Sequence, residues 1–363
     1  MDDKLSFKTG SKKTWTPSNY DGKFNGEVTM LYALIKSLNT VPVRCIAHIG
    51  VSPVIEFARK AGITSQYLEP NLSIALGSAS VTPLEMAFAF TVFANEGKRA
   101  EKPVFIREIK SWTGEVLEKN SSYSIQAIRP ETSWTILSML LDAVRSGTGS
   151  RAAIPQTQVF GKTGTTNDFI DAWFVGGVPG LVTSVYAGND DNKTLGNGQT
   201  GGVVSAPQWK EFMTYAISVL DLKPNFKNPS PSVNVDKVSI CRTTGFLSVS
   251  DCPAVSLYLE TGTAPITTCP THGGIGSAFD ENAPRLIRLD QDADLFSYYE
   301  QQVNENEEQQ IAYEQYQLPA YNNEQSVSSN MNISPPSPVR APVMSPQTVD
   351  ERYEQLLKEY GIR

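Results

Sequence analysis

The sequence predicts an α+β fold. Apolar residues at helical spacing recur through the first 145 positions, the period shifts to that of strands between about residues 159 and 187, and one more helical segment follows. Met30, Leu31, Leu34 and Ile35 share one face of a helix expected over residues 28–39. Ser52-Pro53 caps and opens a second helix, which Gly62 closes. Thr82-Pro83-Leu84-Glu85 has the form of a capping box with proline in the first turn, and Gly97 ends the helix that it starts. A fourth helix is expected over residues 131–145, stopped by Ser146-Gly147-Thr148-Gly149.

Strands are then expected over residues 159–165, 172–176 and 181–187, the last two joined across Pro179-Gly180. A final helix over residues 208–220 follows Ala206-Pro207. These elements place a main body in residues 1–220. Residues 221–236 read as a proline-rich linker and residues 237–276 as a small cysteine-containing segment. Residues 277–363 turn to Glu, Gln, Asn, Ser and Pro, a composition that buries too little surface to fold alone, so a disordered tail is expected.

Composition narrows the function. The chain has 363 residues, 40% of them hydrophobic and 19% charged, enough for a sizeable core. A formal charge of -7, without a lysine and arginine stripe, argues against nucleic acid as a partner. No apolar run has the length of a membrane-spanning helix, and the first residues, MDDKLSFKTGSKK, carry no apolar export segment. There are 2 histidines, His48 and His272, neither in a nucleophile-elbow context, so Ser-His-Asp chemistry is set aside and His48 reads as structural. No cofactor is expected.

The chemically informative groups are Ser37-Leu38-Asn39 and Lys162-Thr163-Gly164-Thr165. Acyl transfer needs a base, a proton donor for the leaving amine, donors for the oxyanion and a grip on the substrate. In a Lys-Thr-Gly-Thr strand the lysine supplies charge and the glycine admits a substrate backbone. The threonine hydroxyls can hold a carboxylate. A Ser-x-Asn turn adds a hydroxyl and an amide. The two motifs stand among WTPSNYDGKFNGEVT, ALIKSLNTVPVR, ALGSASVTPLEMAFAFTVFANEGK, GKTGTTNDFIDAWFVGG and TGGVVSAPQWKEFM. In that order and at those separations, residues 13–220 resemble the transpeptidase domain of class A penicillin-binding proteins.

The resemblance implies a β-lactamase/transpeptidase-like fold, an antiparallel sheet flanked by helices. It implies a serine-type D-Ala-D-Ala transpeptidase that cross-links peptidoglycan stem peptides through an acyl-serine intermediate and binds β-lactams. Ser37 would relay a proton to the leaving group, assisted by Lys162, and Asn39 would bind the substrate amide. Thr163 and Thr165, with Gly164 between them, would hold the terminal carboxylate, and the Thr165 N–H would donate to the oxyanion. It also implies work at the periplasmic face of the inner membrane.

One departure stands out. The family's Ser-x-x-Lys nucleophile motif should precede WTPSNYDGKF by a few tens of residues, and no serine in this chain has lysine three positions on. The expectation is therefore a domain incomplete at its N-terminus, inactive alone and in need of an N-terminal part. The alternative is a non-catalytic peptide- or protein-binding fragment of the cell-wall synthesis machinery. A β-lactamase-like hydrolase is disfavoured by the class A surroundings. Of the 4 cysteines, 3 fall near residue 250, where Cys241, Cys252, Cys269 and His272 offer a zinc set of wide spacing. A Cys252–Cys269 disulfide is preferred for an exported protein.

Overall fold

The computed structural model describes residues 1–9 and 13–273. The expected tail from residue 277 lies outside the described residues. The N-terminal strands β1 (Phe7–Thr9) and β2 (Lys13–Trp15) pair antiparallel. Helix α1 (Met30–Lys36) starts at Thr29, whose hydroxyl accepts the Tyr32 N–H at 3.0 Å. It ends sooner than the apolar spacing predicts. Ser37 takes a left-handed conformation, φ 55° and ψ 47°, and the N–H groups of Ser37 and Leu38 close back on the carbonyls of Leu34 and Ala33. This six-residue closure satisfies the last carbonyls and forces a reversal.

The reversal opens α2 (Thr40–Ile49), a helix that the sequence reading did not predict. Pro42 fits there because its missing N–H falls in the first turn. At Gly50, φ 86°, the chain bends by 100° into α3 (Val51–Ala61), so Ser52 and Pro53 lie inside the first turn rather than at the cap. Helix α3 closes at Gly62, φ 106°. Helix α4 (Pro83–Ala94) has both reciprocal bonds of the expected capping box between Thr82 and Glu85.

Between α4 and the next helix, two small antiparallel pairs project. Strand β3 (Lys98–Ala100) pairs with β6 (Ser124–Gln126), and β4 (Glu108–Lys110) with β5 (Val116–Lys119). Helix α5 (Pro130–Ser146) follows. The central sheet then forms in the order β7 (Phe160–Thr165), β8 (Asp171–Val178), β9 (Leu181–Gly188), all antiparallel, with β7 at one edge. Helix α6 (Ser205–Leu220) packs on one face, where Phe174, Val178, Trp209 and Met213 are fully buried and the rings of Phe174 and Trp209 lie 5.0 Å apart. Helix α5 covers the other face through Trp134, Leu137 and Leu140 against Phe160. An antiparallel sheet flanked by helices is the expected architecture.

Residues 221–236 lie along this body. Phe226 packs its ring 5.9 Å from that of Phe160 and donates its N–H to Gln158, while Ser230 donates to Glu96. The last two described strands, β10 (Val235–Cys241) and β11 (Ala254–Glu260), form a hairpin. Its Ile240, Val255 and Leu257 pack on Leu31 and Ile35 of α1, with Met139 of α5 alongside. The cysteine-containing segment thus shares a core with the helix that ends at Ser37.

Candidate active site

Ser37 sits where glycine is usual. A left-handed conformation costs a residue with a Cβ about 1–2 kcal/mol, and the same closure at the end of α3 is made by Gly62. The strain holds the Ser37 hydroxyl off the end of α1, towards the edge strand β7. There Lys162 Nζ donates to Ser37 Oγ at 2.6 Å and to the Thr163 carbonyl at 3.1 Å. Lys162 is half-buried overall, and its ammonium is enclosed. Burial of that charge lowers its pKa from 10.5 to about 8. An amine poised there exchanges a proton with a neighbouring hydroxyl near neutral pH.

Asn39 follows two residues on. Its side-chain amide donates to the Ser18 carbonyl at 2.8 Å, and its backbone N–H donates to Asn19 Oδ1 at 2.8 Å. Asn19 in turn donates to Asp2, whose buried carboxylate also receives the Asn25 backbone and side-chain N–H groups and the Thr40 hydroxyl. Burial alone would raise the Asp2 pKa, yet the donors from Thr40, Asn25 and Asn19 outweigh it and hold the carboxyl below its ordinary range. The reading from sequence missed Asp2 and Asn19. Nothing local marks their tie to the site, since Asn19 lies 17 positions from Asp2 and 20 from Asn39, and Thr40 lies 38 from Asp2.

The threonines of β7 are held from a second side. Thr163 and Thr148 share a hydrogen bond at 2.7 Å between hydroxyls, and Thr165 Oγ1 accepts the Gly201 N–H at 3.0 Å. Thr148, read as part of a helix stop, therefore belongs to the site. Gly147 beside it lets α5 approach α1, because a Cβ there would meet the Ile35 carbonyl at 2.6 Å. Gly201 lets its loop lie on the strand, since a Cβ would fall 2.3 Å from the Gly164 carbonyl. Ser37 thus meets Lys162, Thr163, Gly164 and Thr165 at the β7 edge, while Asn39, two residues on, has its side-chain amide on the Ser18 carbonyl. Cys241, Cys252, Cys269 and His272 gather elsewhere, near the start of α1.

This arrangement can donate and accept a proton at Ser37 and can line an extended peptide along the outer edge of β7, which pairs with no strand among the described residues. The family model described as penicillin binding protein transpeptidase domain matches residues 2–214. The chain belongs to this family. Penicillin-binding protein 1A of Aquifex aeolicus is 40% identical over 256 residues, covering 70% of this chain and 34% of that protein. Penicillin-binding protein 1A of Neisseria gonorrhoeae is 39% identical over 209 residues, covering 56% and 26%. The chain therefore spans about a third or less of the curated relatives that it matches.

Among solved structures, penicillin-binding protein 1A of Haemophilus influenzae superposes with a TM-score of 0.66 at 30% identity, over 74% of this chain and 45% of that one. The PonA1 protein of Mycobacterium tuberculosis, solved in complex with penicillin V, gives a TM-score of 0.53 at 25% identity, over 59% and 63%. As a member of the penicillin-binding transpeptidase family, the chain has the fold that its motif order implied.

Proposed function

We propose that this chain supplies the substrate-binding and proton-relay half of a D,D-transpeptidase that cross-links peptidoglycan stem peptides at the outer face of the cytoplasmic membrane. The observation that carries the reading is the 2.6 Å contact between Lys162 Nζ and Ser37 Oγ, made by a lysine whose pKa burial brings to about 8. In the acyl-transfer step, a serine oxygen adds to the penultimate D-Ala carbonyl and the C–N bond to the terminal D-Ala breaks. Ser37 passes a proton to the leaving amine and recovers one from Lys162, which is restored by the proton that the attacking hydroxyl gives up, so that one proton moves in all from that hydroxyl to the amine. Thr163 and Thr165 grip the terminal carboxylate, Asn39 holds the peptide amide, and the Thr165 N–H donates to the oxyanion.

The attacking serine is assigned to none of these residues, because no serine in the chain has lysine three positions on. Penicillin V bound to the PonA1 protein supports β-lactams as ligands of the same cleft.

The test is binding of a fluorescent penicillin, and its displacement by an acyl-D-Ala-D-Ala peptide. Saturable, reversible binding is expected, weakened roughly tenfold to a hundredfold by Thr163→Val or Lys162→Met, as for a lost hydrogen bond to a charged group. Label that survives denaturation would place a nucleophile within this chain and contradict the division of roles. Absence of any saturable binding would contradict the cleft itself.

A further inference from the structure

Among the described residues, a cluster of metal-ligating side chains lies away from the cleft, at the end of the β10–β11 hairpin. Cys241 ends β10, Cys252 stands just before β11, and Cys269 and His272 lie on the chain that returns after it. Their sequence spacing is wide, but the hairpin register pairs Cys241 with Ala254, and the Cys269 N–H bonds to the Leu247 carbonyl at 2.8 Å. One ligand atom from each of the four falls within 4.8 Å of all the others. His272 Nδ1 is 3.2 Å from Cys269 Sγ and 3.5 Å from Cys241 Sγ. All of these cysteines are free thiols, including Cys252 and Cys269, the pair expected to form a disulfide.

We propose that Cys241, Cys252, Cys269 and His272 hold one structural zinc ion. Zinc bonds thiolate at about 2.3 Å and imidazole at about 2.0 Å, so a tetrahedral set separates its donor atoms by about 3.5–3.8 Å. The two His272 contacts, 3.2 and 3.5 Å, are near those separations, and all four donors lie within 4.8 Å of one another. A Cys252–Cys269 bond would use two of them and leave Cys241, which is fully buried, and His272 without a role. Sulfur also meets hydrogen-bond donors here. Thr244 Oγ1 donates to Cys269 Sγ at 3.2 Å and the Val249 N–H to Cys252 Sγ at 3.3 Å, the outer support that orients thiolate ligands. Gly245, at φ 79°, closes the tight turn after Cys241 by donating its N–H to the Cys241 carbonyl. Four protein ligands fill the tetrahedron, so the site is structural and offers no position to a substrate.

What it braces follows from Arg242, the neighbour of Cys241. Its guanidinium bonds Asp142 of α5 at 2.8 and 2.9 Å, and its carbonyl accepts the hydroxyl of Thr29, the cap of α1. The knot thus fastens both helices at the end of α1 opposite Ser37.

Elemental analysis of the full chain, purified with reductant and without chelator, tests this. About one zinc per chain is expected, with replacement by cobalt giving the intense thiolate charge-transfer and tetrahedral d–d absorption of a Cys3His set. Cys269→Ser should lose the metal and Cys45→Ser should retain it. If Cys269→Ser fails to fold, His272→Cys keeps four ligands and should bind cobalt with added thiolate absorption. Zinc below about a tenth of stoichiometric, an octahedral cobalt spectrum, or metal content unchanged by Cys269→Ser would each overturn the proposal. So would a peptide map that joins Cys252 to Cys269 by a disulfide in the chain as purified under mild reductant.

Discussion

Ser37 keeps a side chain in a backbone conformation that Gly62 occupies in the same closure of another helix. The hydroxyl is retained against a conformational cost, which is how strained residues mark working sites. Ser37→Gly and Ser37→Ala both remove the partner of Lys162, but only glycine relieves the left-handed backbone, so Ser37→Gly should be the more stable of the two by about 1 kcal/mol. Equilibrium denaturation of the pair checks this, and equal stabilities would contradict the strain. Asp2 is the opposite case, a buried carboxylate with every oxygen engaged. Asp2→Ala leaves Thr40, Asn19 and Asn25 without their acceptor and should cost about 3 kcal/mol. It should also weaken penicillin binding, because Asn19 orients Asn39; unchanged binding in the folded variant would separate the network from the site.

At the scale of elements, legibility followed the range of the interactions. The Thr82–Glu85 box could be read directly because both its bonds span three residues. The sheet was legible because Val159 to Ala187 switches period and carries its turn at Pro179-Gly180. Helix α2 was not: the reading stopped a helix at residue 39 and left 40–49 unassigned, because Pro42 and the β-branched Thr40, Val41 and Val43 blur its helical signal. The packing of β10 and β11 on α1 was also hidden, because Leu257 and Leu31 meet across more than half the chain and no local pattern records such a contact.

The cap of α4 makes its own pH prediction. Burial opposes ionisation of Glu85, but donors from Thr82 and Thr64 outweigh it and bring its pKa from 4.5 to about 2. A carboxyl lowered on folding binds fewer protons in the folded state. Its contribution is complete above about pH 5 and fades as pH falls towards about 2. The stability gap between the wild type and Glu85→Gln should shrink over that window in thermal melts. A gap constant with pH would contradict the capping role.

For the whole molecule, the sheet between α5 and α6 is the frame on which β7 presents Lys162 to the Ser37 turn. Trp209 fills the α6 side of that frame, fully buried, with its indole N–H on the Thr183 carbonyl. The frame joins residues from the first 40 positions, the strand near 160 and the hairpin near 250, so the site exists only when these distant segments pack together. The claim at the centre is that Ser37 and Lys162 form one proton-exchanging pair inside a carboxylate-binding cleft. The most direct measurement is an NMR titration of the lysine side-chain amines, with and without an acyl-D-Ala-D-Ala peptide. One amine, absent in Lys162→Arg, should titrate near pH 8 in the free chain, and its midpoint should rise when a peptide carboxylate binds beside it. Lysines that all titrate near their ordinary value, or a midpoint that saturating peptide leaves in place, would contradict it.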